Sequence, residues 1–130
     1  MCIRDRLSNE THKILDSNIK VSATAVRVPV MGGHSESINI TLNKPFKISN
    51  IIKLLNDSPG LVLQNDPSNL VYPMPLFSKG KDDVFVGRIR EDNSEKNSLN
   101  LWVVADNLRK GAATNAIQIA EYIINKKFVA

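Results

Sequence analysis

Arg27 and His34 lie seven positions apart, with Gly32-Gly33 between them. A guanidinium is the group best shaped to hold a carboxylate by two parallel hydrogen bonds. An imidazole is the side chain best suited to moving protons near neutral pH. The pair therefore implies a site that holds an acidic substrate and exchanges protons with it. Ser35 and Glu36 follow directly and could orient the imidazole. Three consecutive residues do not make a catalytic triad, because triads are assembled in space, and no activated nucleophile or oxyanion hole is signalled. The plain alternatives are an arginine solvated on the polar face of a strand and an exposed turn histidine. A second candidate lies at Asp106-Asn107-Leu108-Arg109-Lys110-Gly111-Ala112-Ala113. A strand ends there and a helix begins, and helix starts attract anions. Asn107 could hydrogen-bond a ligand amide; equally, Gly111, Ala112 and Ala113 could simply let the helix pack closely. Arg88 and Arg90 share one face of their strand and read as solvated or subunit-contact residues.

The elements that must position these residues follow from periodicity. Met1 to Arg6 has none and looks foreign to the rest. Asn9 to Leu15 reads as the end of a helix, closed by Asp16-Ser17-Asn18. Lys20 to Val30, rich in β-branched residues, reads as a strand with Pro29 at its end or on an edge. Gly32-Gly33 allows a sharp turn before His34. Ser37 to Leu42 alternates apolar and polar residues, as a half-buried strand does. Ile48, Ile51, Ile52 and Leu55 fall at i, i+3, i+4 and i+7, the stripe of an amphipathic helix stopped by Ser58-Pro59-Gly60. Residues 64 to 83, with Pro67, Pro73, Pro75 and Gly80, form a long irregular connection of the kind that often carries function. Val84 to Arg90 and Leu99 to Val104 read as strands of a hairpin around the polar Glu91 to Asn97. Asp106 to Gly111 is a turn. A last helix, 112 to 126, carries Ala113, Ile117, Ala120 and Ile124 on one face, and Lys126 and Lys127 sit at its negative end. The order predicts an α+β domain: a mixed, largely antiparallel sheet covered by helices.

Composition sets the outer limits. At 130 residues, 42% hydrophobic and 23% charged, the chain suits one domain with a core. A net charge of +4 favours an anionic ligand such as a phosphate or dinucleotide. The basic residues are dispersed and aromatics are few, which argues against nucleic acid. Cys2 is the single cysteine, so no internal disulfide and no cysteine-based zinc site can form; with His12 and His34 as the only histidines, no metal site is expected. No apolar run is long enough to span a membrane and no secretory signal opens the chain, so cytoplasm is expected.

Val21-Ser22-Ala23-Thr24-Ala25-Val26-Arg27-Val28-Pro29-Val30, running into Gly33-His34-Ser35-Glu36, resembles aspartate-semialdehyde dehydrogenase of the bacterial type. So do Asn9-Glu10-Thr11, Phe85-Val86-Gly87-Arg88-Ile89-Arg90, Trp102-Val103-Val104, Asp106-Asn107-Leu108 with Lys110-Gly111-Ala112-Ala113, and Ile117-Gln118-Ile119-Ala120-Glu121. The resemblance runs from about Leu7 to the end. It implies a glyceraldehyde-phosphate-dehydrogenase-like C-terminal catalytic and dimerisation domain over 7–130. The last helix would pack on an NADP-binding domain that this sequence does not contain. The family reduces aspartyl 4-phosphate to aspartate 4-semialdehyde with NADPH through a cysteine thioester, a step toward lysine, threonine, methionine and diaminopimelate. Phosphate is released, and the full enzyme is a homodimer or homotetramer. By the resemblance His34 is the acid/base, Arg27 grips the substrate α-carboxylate, and Asn107 contacts the cofactor.

Two departures stand beside this likeness. The catalytic cysteine and the Gly-rich phosphate loop belong to the absent half. The family's Glu-Glu-x-Lys stretch falls on Ile3 and Arg6, inside residues 1–6, which read as a leader or joining scar. Arg6 could still attract phosphate, whereas Ile3 cannot bind an ammonium. The chain is thus expected to be an inactive fragment. Its rivals are the related N-acetyl-glutamyl-phosphate reductase, a non-catalytic binding or assembly paralogue, and a stand-alone α+β module that would unfold cooperatively.

Overall fold

The computed structural model describes residues 3–128; Cys2 lies outside the described residues. Helix α1 spans Ile3–Ile14, so four residues of the expected leader continue the helix that Asn9 to Leu15 predicted. Strand β1 follows at His34–Thr41, then α2 at Ile48–Asn56, β2 at Leu61–Leu63, a short α3 at Pro75–Ser78, β3 at Val84–Glu91, β4 at Ser98–Ala105 and α4 at Ala113–Asn125.

The sheet order is β1-β4-β3-β2. The pairs β1–β4 and β3–β4 are antiparallel and β2–β3 is parallel, which gives the mixed, largely antiparallel sheet expected. β3 and β4 form the predicted hairpin. Its loop is tied at Asp92, whose carboxylate accepts the Ser94 N–H at 2.9 Å and the Asn39 amide of β1 at 2.6 Å. The three-residue β2 was hidden within the run after Ser58-Pro59-Gly60, because so short a strand leaves no period to read.

One face of the sheet carries the core. Val86, Ile89 and Leu99 are buried there, with Ile48, Ile51, Ile52 and Leu55 of α2 and Leu101 and Val103 of β4 packed around them. This is the apolar stripe of α2 meeting the inward residues of two strands. On the opposite face Phe85 and Val104 are buried, Val104 completely. Here the 64–83 connection acts as a cover. The Pro73 carbonyl accepts the Trp102 indole N–H at 3.0 Å, and the Asn65 side chain accepts the Ile89 N–H at 2.9 Å.

That last bond caps a β-bulge. Register shifts between Gly87 and Arg90, Arg88 adopts φ 53°, and its guanidinium lies 4.4 Å above the Tyr72 ring. Gly87 is indispensable beside it: a Cβ there would stand 2.0 Å from the Gln64 carbonyl oxygen.

One expectation fails outright. Lys20 to Val30 is not a strand; the segment is irregular from Lys20 to Val30. Its hydrogen bonds are local, such as Val30 N–H to the Val28 carbonyl at 2.9 Å. β-branched residues fit a pleated, half-buried surface, and without a neighbouring strand that preference forms no ladder. α4 does form as predicted, but Ile117 and Ile124 of its apolar face are exposed and the helix contains no buried residue.

Candidate active site at the start of the first strand

His34 is the first residue of β1, paired with Ala105 at the last position of β4. The strand therefore begins three residues earlier than its alternation suggested. Just before it, Gly32 and Gly33 adopt φ 86° and 88°. These left-handed values are strained for residues with a Cβ, which accounts for the two glycines. At Gly33 space is limiting as well: a Cβ would meet the Ala105 carbonyl at 3.3 Å, Pro75 at 3.4 Å and the Ser78 hydroxyl at 3.5 Å.

The junction between β4 and α4 comes to the same place. The Gly33 N–H donates to Asn107 Oδ1 at 2.9 Å across 74 residues of sequence. Asn107 is held in turn by its neighbour. The buried Asp106 carboxylate accepts the Gly80 N–H at 2.7 Å and the Leu108 N–H at 2.8 Å. These two amides, Gly80 first, hold its carboxyl below the ordinary carboxylate range. The Asp106 carbonyl accepts the Lys110 N–H at 2.8 Å. Asp82 is likewise lowered, chiefly by its 2.8 Å bond from Arg109.

Of the three sequence-predicted site residues, His34 and Asn107 are thus brought together through Gly33, with the His34 ring exposed. Arg27 lies in the irregular segment, exposed, and its guanidinium makes no hydrogen bond or ion pair among the described residues. Arg6, the possible phosphate residue, is paired with Glu10 at 3.3 Å. Ser78 and Gly80 support the site without having stood out as site residues, and Asp106, inside the second candidate segment, supports it without having been given a role of its own. Asp106 carried a readable signal, an aspartate at a strand end that can cap the following turn. Ser78, buried against the Gly33 turn, carried none.

Residues 5–110 match the family described as semialdehyde dehydrogenase, dimerisation domain. The chain belongs to this family. It is 48% identical over 126 residues to aspartate-semialdehyde dehydrogenase of Aquifex aeolicus, an alignment covering 96% of this chain and 37% of that protein. Among solved structures it is similar to aspartate semialdehyde dehydrogenase II of Vibrio cholerae complexed with ASA. The TM-score there is 0.86 at 40% identity, covering 95% of this chain and 37% of the other. It is also similar to aspartate semialdehyde dehydrogenase with NADP from Candida albicans, with a TM-score of 0.77 at 27% identity, over 97% of this chain and 43% of the other. The chain spans about a third of the length of the relatives it matches. Among the described residues no group of three potential metal ligands comes together, and no helix is long and apolar enough to cross a membrane.

Proposed function

We propose that this chain is the dimerisation-domain third of an aspartate-semialdehyde dehydrogenase. In that reading the completed enzyme converts L-aspartyl 4-phosphate and NADPH to L-aspartate 4-semialdehyde, NADP and phosphate, by way of a cysteine thioester whose thiol lies outside this chain. What supports it most is the Gly33–Asn107 hydrogen bond, which sets the proton-transfer candidate beside the cofactor candidate.

His34 exchanges protons with the reacting groups, and its exposed ring at the head of β1 is accessible for that work. Arg27 forks the substrate α-carboxylate with a guanidinium that has no partner among the described residues. Asn107 fits a cofactor amide: its oxygen is used by Gly33, while its Nδ2 donates to nothing among the described residues. When bound, NADPH supplies the reducing equivalent. In this reading the family domain runs from about Leu7 to the end, and α4 is the helix that packs on the NADP-binding domain. Two or four copies assemble through this domain, and the enzyme works in the cytoplasm.

The test is to complete the chain with the remaining two thirds of the Aquifex aeolicus relative and to assay phosphate-dependent NADP reduction by aspartate semialdehyde. Turnover is expected in the completed enzyme and none from the 130-residue chain alone. His34→Ala cuts kcat by about a hundredfold or more. Arg27→Lys mainly raises KM for the semialdehyde, because an ammonium cannot reproduce the fork. A folded, assembled and inactive hybrid, or variants with unchanged kinetics, would refute these roles.

A further inference from the structure

Asn107 was introduced as a cofactor contact, yet its carbonyl oxygen is already committed to the Gly33 amide. We infer that Asn107 is the positioning residue for His34, acting through Gly33. The inference rests on the proposed function for what His34 does; the clamp itself does not depend on it.

Two successive glycines in left-handed conformation make the most permissive turn a chain can build. Left alone, such a turn would let the head of β1 fray and the imidazole sweep a wide cone. The bond across to Asn107 ties this turn to the body of the domain, and the bond inside the turn, Gly32 N–H to the Val30 carbonyl at 3.0 Å, is local. The other end of the tie is rigid. Asp106 fastens the backbone through Leu108 on the far side of Asn107 and through Gly80, which follows α3. Behind Gly33 stand the Ala105 carbonyl, Pro75 and the Ser78 hydroxyl, so the turn is backed by α3 and the end of β4 as it is pulled by Asn107. A part-buried backbone N–H without an acceptor is costly, which gives the bond a reason to persist. The two jobs of Asn107 use different atoms. Oδ1 holds the histidine turn and Nδ2 serves the cofactor.

That division makes the inference testable with two substitutions. Asn107→Asp keeps an oxygen for Gly33 and loses the amino group; Asn107→Ala loses both. In the 130-residue chain, amide hydrogen exchange at Gly33 should be slow in the parent and in Asn107→Asp. It should be about tenfold faster or more in Asn107→Ala, with the β3–β4 core amides unchanged. In the completed enzyme at saturating NADP, Asn107→Ala should lose about tenfold or more in kcat. Asn107→Asp should recover most of that loss while KM for NADP stays raised. Unchanged Gly33 exchange in Asn107→Ala overturns the inference. So does equal damage in both variants confined to KM for NADP. If Asn107→Ala does not fold, Asn107→Asp decides: slow Gly33 exchange supports the clamp and fast exchange sinks it. An inactive parent hybrid with a protected Gly33 amide would sink the dehydrogenase reading and leave the clamp standing.

Discussion

The hairpin β3–β4 with α2 and the outlying segments α1, 20–31 and α4 are built from the same kinds of residue and reach opposite ends. In the first region Val86, Leu99 and Val104 are shut away from water. In the second, Val26 is 83% exposed and Met31 84%, with Ile14, Ile117 and Ile124 also open. Sequence preference is alike in the two; what differs is the presence of a partner surface. An apolar stripe is an instruction to bury, and only an available neighbour decides whether it is carried out.

This contrast can be broken most severely at Gly87. Gly87→Ala forces a methyl group into the Gln64 carbonyl and Pro73 ring, and should cost at least about 3 kcal/mol or abolish the fold, read by urea unfolding. Leu99→Ala in the core should cost about 2–4 kcal/mol in the same experiment. Acid provides a milder probe. The Asp106 carboxyl is held low by the Gly80 and Leu108 amides, so its stabilisation is complete above the ordinary carboxylate range and is lost as pH falls through the lowered value. Exchange at those two amides should quicken there before the core opens, and Asn in place of Asp106 should remove that acid dependence. The smallest effect belongs to the outlying region: Val26→Ser should shift unfolding by less than about 0.5 kcal/mol. A large loss on Val26→Ser in the isolated chain would mean that the segment is packed after all, and the contrast would collapse.

The same contrast separates what could be read from the sequence from what could not. α2 and α4 announced themselves by a 3.6-residue apolar period held over two turns or more, and β3 and β4 by runs rich in apolar and β-branched residues on either side of a polar loop. The segment 20–30 misled because β-branching reports a liking for a sheet and says nothing of whether an adjacent strand exists. β2 was too short, and the bulge at Arg88 is held by contacts with the 64–73 connection, the Asn65 side chain and the Tyr72 ring, that no local pattern encodes. His34 and Asn107 were both legible as residue types. Their meeting at Gly33 was not, since it depends on the antiparallel register that sets His34 opposite Ala105. Asp106 lay in plain sight as a turn residue, but its bond to Gly80 crosses to another part of the chain.

β1 is the outermost strand on its side of the sheet, and its sequence, His-Ser-Glu-Ser-Ile-Asn-Ile-Thr, contains neither proline nor lysine. Edge strands in monomeric proteins are usually blunted by such residues, which discourage a stranger's backbone from zipping on. Here the rim is left receptive. Unpaired backbone groups along such a rim are a pairing hazard, so self-association of the chain through β1 should rise with its concentration.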